Sequence, residues 1–122
     1  MKTLSDLKAL IPELTSHLLS QKHEIGGWYV DTDMDEDGDR GCIVSNPAVN
    51  EFVYEEDGWL VEGDYECIGK LDSDDCFSNP EGHFISLSVY HYDDETGDET
   101  SFSERDLTPV YDALDTALNE SL

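Results

Sequence analysis

From Trp59 to Ile68 the chain alternates with a period of two. Trp59, Val61, Tyr65 and Cys67 fall on one side with Gly63, and Leu60, Glu62, Asp64, Glu66 and Ile68 fall on the other. This is the pattern of a β-strand with one face in a core and the other in water. Side chains two apart on a strand stand about 6.6 Å apart, so Glu62, Asp64 and Glu66 form a ladder of negative charge on an outer sheet face. No other segment constrains the fold as strongly.

The flanking sequence supplies more strands. Phe52-Val53-Tyr54 leads into Asp57-Gly58, and Trp59 follows. Asp-Gly between two such runs signals a two-residue hairpin turn, in which both central residues take positive φ. Upstream, Trp28 and Val30 alternate with Tyr29 and Asp31, and Cys42-Ile43-Val44 reads as a short strand ending in a turn at Asn46-Pro47. Residues 69–82 read as a loop containing Asp72, Asp74 and Asp75. His83–Tyr92 reads as a core strand, with Ile85, Leu87 and Val89 inward and Phe84, Ser86, Ser88, Tyr90 and Tyr92 outward. Thr96-Gly97 turns the chain into a last short strand near Thr100-Ser101-Phe102.

Both ends read as helices. Thr3 and Asp6 make a capping-box pair, and Leu4, Leu7, Leu10, Ile11, Leu14 and Leu18 form one stripe. Pro12 should kink or divide that helix. The C-terminal helix starts at Thr108-Pro109 or, alternatively, at Ser103 with Asp106 three residues on. Val110, Tyr111, Leu114, Ala117 and Leu118 make its stripe. The expectation is one α+β domain over residues 1–122: an antiparallel, meandering sheet of five to six strands with the N- and C-terminal helices packed on one face.

Charge narrows the function. Asp and Glu total 30 and Lys and Arg 6, a formal net charge of −24 on 13.7 kDa. A folded chain of that mass exposes roughly 6,600 Å², or about one net charge per 275 Å². Duplex DNA treated as a cylinder carries about one per 107 Å², so the mean density here is roughly 40% of that of DNA. Solubility asks for a net charge of only about 2 to 8. Direct binding of DNA, RNA or an anionic membrane is excluded by repulsion. A solvated acidic surface suited to high salt is one explanation, a surface shaped for the basic groove of a nucleic-acid-processing protein is the second, and calcium binding is the third.

The N-terminus does not read as a signal peptide, and no apolar run approaches a membrane span. Cys42, Cys67 and Cys76 are odd in number and lack CxxC spacing, which points to reduced thiols in a cytoplasmic protein, with a Cys67–Cys76 bridge as the alternative. Asp33-Met34-Asp35-Glu36-Asp37-Gly38-Asp39 opens like a calcium loop of the DxDxDG type, but Val44 stands where a closing bidentate Glu belongs. An acidic hairpin loop that attracts divalent cations weakly is expected there, not a specific metal site. No nucleophile elbow, zinc motif, phosphate loop or Cys–His pairing is present. His91 ends a core face and reads as a satisfied edge residue.

A non-enzymatic inhibitor without cofactor follows as the leading expectation. It would mimic nucleic-acid charge and occupy the basic cleft of a nuclease or other nucleic-acid-binding protein. The partner-binding candidates are Asp31, Asp33, Asp35, Glu36, Asp37, Asp39, Glu55, Glu56, Asp57, Glu62, Asp64, Glu66, Asp93, Asp94 and Glu95, with Tyr29, Tyr54, Tyr90 and Tyr92 as aromatic anchors. In size and charge the chain is similar to the phage and plasmid DNA mimics that block restriction or CRISPR nucleases. The alternatives are an immunity protein for a cognate nuclease toxin, and an acidic adaptor or calcium-binding module.

Overall fold

The structure, a computed structural model, describes residues 2–31, 42–71 and 80–122. The element order is α1 (Leu4–Ser20), β1 (Gly26–Asp31), β2 (Cys42–Asn46), β3 (Ala48–Glu56), β4 (Trp59–Leu71), β5 (Glu81–Tyr92), β6 (Glu99–Ser101) and α2 (Glu104–Ser121). This is the α+β arrangement read from the sequence. Leu7, Leu10, Leu14 and Leu18 of α1 and Leu107, Val110, Leu114 and Leu118 of α2 share one core with the inner face of β3–β5. Phe52, Val61, Tyr65, Phe84, Leu87 and Val89 supply that face, so both helices lie on the same side of the sheet.

The sheet is mixed, not wholly antiparallel. Its order is β2-β1-β4-β5-β6, with β3 also paired to β4. Trp59–Cys67 of β4 pairs antiparallel with β3, while the far end of β4 pairs with β1 in parallel (Gly26 opposite Ile68, Trp28 opposite Leu71). Asn46-Pro47 does not reverse the chain, as a turn would. β2 and β3 both run antiparallel to β4, so the chain keeps its direction through Pro47 and shifts one lane, leaving room for β1 between β2 and β4. Gly26 sits at that crossing, where a Cβ would overlap the Asn46 carbonyl oxygen and the Ala48 nitrogen.

A β-bulge in β5 changes which residues are inside. Asp64 faces Ser86 but Tyr65 faces Phe84, so Ile85 is the extra residue. Expected inward, Ile85 is 52% exposed; expected outward, Phe84 is 6% exposed. The Phe84 ring lies 5.7 Å from Phe52 and 5.0 Å from Tyr65. Strict alternation cannot satisfy both Phe84 and Leu87, and the bulge lets the larger ring take the core.

Both helices are capped as the sequence allows. Thr3 and Asp6 form the reciprocal box: Thr3 N–H donates to Asp6 Oδ2 (2.8 Å) and Asp6 N–H to Thr3 Oγ1 (3.3 Å). α1 runs undivided through Pro12, because Pro12 and Lys8 are exposed and water can reach the carbonyl the proline leaves free. The cap of α2 is Ser103, not Thr108. The earlier start adds Leu107 to the core.

Helix side chains also close the central sheet edges. His17 Nε2 donates to Val53 O (2.7 Å) and Gln21 Nε2 to Glu51 O (3.2 Å), along the free side of β3. On β5, where β6 covers only Tyr90–Tyr92, the edge N–H groups go to α2. Gly82 N donates to Asn119 Oδ1 (2.9 Å) and Phe84 N to Asp115 Oδ1 (2.8 Å). Unpaired edge groups invite pairing with another chain, and four-residue spacing on a helix matches them here with side chains.

Two predictions follow from the bulge and this edge. Phe84→Ala should lose about 3–5 kcal/mol of stability while Ile85→Ser stays within about 0.5 kcal/mol, read as urea midpoints. Burial raises the Asp115 carboxyl pKa above its ordinary value, against the lowering effect of the Phe84 N–H. The native state therefore binds this proton more tightly than the unfolded chain, and the stability contribution of Asp115 falls as pH rises through its folded-state pKa. Asp115→Asn should remove that slope and hold stability near pH 7, whereas Asp115→Ala, leaving the Phe84 N–H unmet, should lose about 1–3 kcal/mol; pH-dependent melts of both variants check it.

Candidate functional site

The face turned away from the helices is built from the alternate residues of β3, β4 and β5. Pairing sets its rows: Glu55–Leu60–Tyr90, then Val53–Glu62–Ser88, then Glu51–Asp64–Ser86, then Val49–Glu66–His83. Glu62 and Asp64 are exposed and Glu66 is half-buried, so the ladder read from the sequence stands on the outer face. Glu51 extends it sideways, directly opposite Asp64. Its parity with Glu55, across from the buried Phe52 and Tyr54, was the available signal.

No Lys or Arg occurs in β3, in β5 or in Trp59–Ile68 of β4. Glu66 lies 3.1 Å from the His83 ring. Like charges placed directly across a sheet destabilise it, so Glu51 opposite Asp64 works against folding. A shallow depression of about 350 Å³ is lined here by Glu51, Glu62, Asp64, Ser86 and Ser88. Between the acids the face exposes aliphatic side chains: Val49 is 59% exposed and Val53 41%.

The remaining candidates divide by position. Glu55, Glu56 and Asp57 lie at the β3–β4 turn, where Asp57 (φ 54°) and Gly58 (φ 84°) take the left-handed conformations that Asp-Gly implies. Asp93, Asp94 and Glu95 lie at the same end of the sheet, because Tyr92 N donates to Gly58 O (2.9 Å) and Asp93 follows directly. The Glu95 N–H, helped by Thr96, holds the Asp93 carboxyl below its ordinary pKa. Asp31 closes β1 at the opposite end, beyond the last residue of β4. Asp33, Asp35, Glu36, Asp37 and Asp39, with the calcium-like loop they form, lie outside the described residues.

Among the tyrosines, Tyr90 and Tyr92 share the outer face and Tyr92 is 42% exposed. Burial and the Glu99 carboxylate raise the Tyr90 hydroxyl pKa. Tyr54 does not belong to this face. It is buried on the core side against His17, 5.5 Å between ring centroids, because it shares the parity of Phe52. His91 is buried, donates from Nε2 to Asp57 O (3.2 Å) and meets the Trp59 ring edge-on at 4.9 Å, the satisfied position expected of it. Cys67 is a free thiol whose burial raises its pKa to about 11. Among the described residues no group of three His, Cys, Asp or Glu side chains is placed to hold a metal ion. No described helix is long and apolar enough to cross a membrane.

Compared with protein-family models, curated proteins and solved structures, the chain matches none. The class it defines therefore rests on its own geometry: an α+β domain with one helix-covered sheet face and one acidic face that no described helix covers.

If Glu51 and Asp64 repel across the strand pair, Glu51→Gln should stabilise the fold by about 0.2–1 kcal/mol at low salt. The gain should shrink toward zero in 1 M salt. Urea unfolding at both ionic strengths decides the matter; an equal gain at both would assign the effect to something other than charge.

Proposed function

We propose that the protein is a non-enzymatic inhibitor whose acidic outer face stands in for nucleic acid in the basic cleft of a nuclease or other nucleic-acid-binding protein. One observation carries the reading. The helices cover the inner face and the central edges, and the opposite face, which no described helix covers, carries Glu51, Glu55, Glu62, Asp64 and Glu66. From the Leu60 row to the Glu66 row is about 20 Å at the strand rise, the axial length of about six base pairs. Like-charge neighbours that weaken the fold are expected where binding relieves them.

A mimic of this kind works without a catalytic group or cofactor. Its carboxylates displace the counterions of a basic cleft, association is fast at low salt, and affinity falls as salt rises. The proposed setting is the cytoplasm, where restriction and CRISPR effectors act. An immunity protein for one nuclease toxin would use the same face but neutralise a single cognate partner. An acidic adaptor would bind a basic protein without blocking its nucleic acid.

The test is capture of partners from native lysate of the source cells on the immobilised chain, eluted with salt up to 1 M and with duplex DNA as competitor. A nucleic-acid enzyme released by DNA is the expected result. The folded Glu62→Lys/Asp64→Lys/Glu66→Lys variant should bind it at least about tenfold more weakly, with a flattened salt dependence. Retention of a partner that DNA does not displace would point to the adaptor. A smear of basic proteins leaving at low salt would overturn the mimic.

A further inference from the structure

At the hairpin end of the outer face lies a second depression, of about 420 Å³, with different walls. Leu60, Tyr90 and Tyr92 line its apolar side and Glu55 and Asp57 its acidic side; Glu56, Gly58 and Trp59 also border it, Glu56 and Trp59 from the parity that faces the core. We propose that this cavity is a receptor for one guanidinium group, an arginine side chain of the basic partner. The inference rests on the reading of the face given above and adds a specific anchor to it.

Three features argue for arginine over cations in general. A charge ladder attracts any cation, but an aromatic wall selects the planar, weakly hydrated guanidinium, which stacks on rings where an ammonium keeps its water. Tyr90 and Tyr92 are two apart on β5, so both present to the same side. The rim carboxylates offer the paired oxygens that the guanidinium fork matches, and the nearest described cation, Lys2, lies over the Trp59 ring, 5.8 Å from its centroid. The walls are also fixed before binding. Tyr92 N–H and the His91 ring tie the turn to β5 through Gly58 O and Asp57 O. A Cβ at Gly58 would overlap the Tyr92 carbonyl oxygen, so the close approach that shapes the cavity requires glycine there. Tyr92 is 42% exposed, so part of its ring face is open to a ligand.

The test is an NMR titration of the full chain at low salt with N-acetyl-arginine amide and, separately, N-acetyl-lysine amide. The arginine probe should shift the Tyr90 and Tyr92 ring signals and the amides of Glu55–Leu60, and should bind about two- to fivefold tighter than the lysine probe. Tyr92→Ala should remove that preference. Tyr92→Leu, which keeps apolar bulk without the ring, gives the same reading if the alanine variant fails to fold. Glu62→Gln/Asp64→Asn/Glu66→Gln should leave the preference in place. Equal affinity for both probes, or shifts spread along the whole outer face, would overturn the receptor. Hexa-arginine and hexa-lysine then separate the two proposals. Equal binding of both peptides removes the arginine site and leaves the acidic face standing; binding of neither removes both.

Discussion

The excess negative charge repels itself at every pH above the carboxylate range, so the fold must be held by contacts that charge does not reach. Those contacts lie between the inner face of β3–β5 and two leucine stripes. At their centre Phe84 meets Phe52 and Tyr65, and Leu14, Leu18, Leu114 and Leu118 close over the same core. Apolar burial is indifferent to the sign of surface charge, which lets the opposite face accumulate carboxylates. The arrangement needs strict separation of the two faces, and the bulge at Ile85 maintains it where simple alternation would have put a phenyl ring among the acids.

Edge closure belongs to the same problem. A sheet held only from one side leaves its strand edges open, and repulsion between copies is screened as salt rises. His17 on one helix with its C-cap Gln21, and Asp115 and Asn119 on the other helix, meet edge groups of β3 and β5. Both helices therefore act twice, through their leucines under the sheet and through their polar residues along its sides. The half-buried Asp115 is the costly member of this set, since its charged form is desolvated. Its acceptor role explains why a carboxylate is tolerated there.

Much of this was legible in the chain, and the failures have physical causes. The helix stripes, the Asp57-Gly58 turn and the ladder of β4 followed from period and turn chemistry alone, because each is a local property. The bulge was not legible, since Phe84, Ile85 and Leu87 compete for one face and only packing against Phe52 and Tyr65 decides. The same holds for Tyr54, which looked free to join the acids until the parity of Phe52 placed it under the sheet. Asn46-Pro47 carries turn residues, yet the chain continues through it. The parallel contact of β1 with β4 depends on a long-range crossing at Gly26 that no local pattern encodes. At the candidate site, Glu51 was missed because its significance comes from facing Asp64 across the pair, which is a fact of register.

The parity of β4 has an evolutionary consequence. Its odd-numbered side chains Trp59, Val61, Tyr65 and Cys67 are committed to the core, while Glu62 and Asp64 among the even-numbered ones are exposed. Substitutions at the even positions can thus accumulate with little penalty to folding, and many that remove charge would strengthen it. Selection can redraw the outer surface without renegotiating the scaffold. One strand carries two nearly independent messages, interleaved residue by residue, and only the buried one has to stay the same.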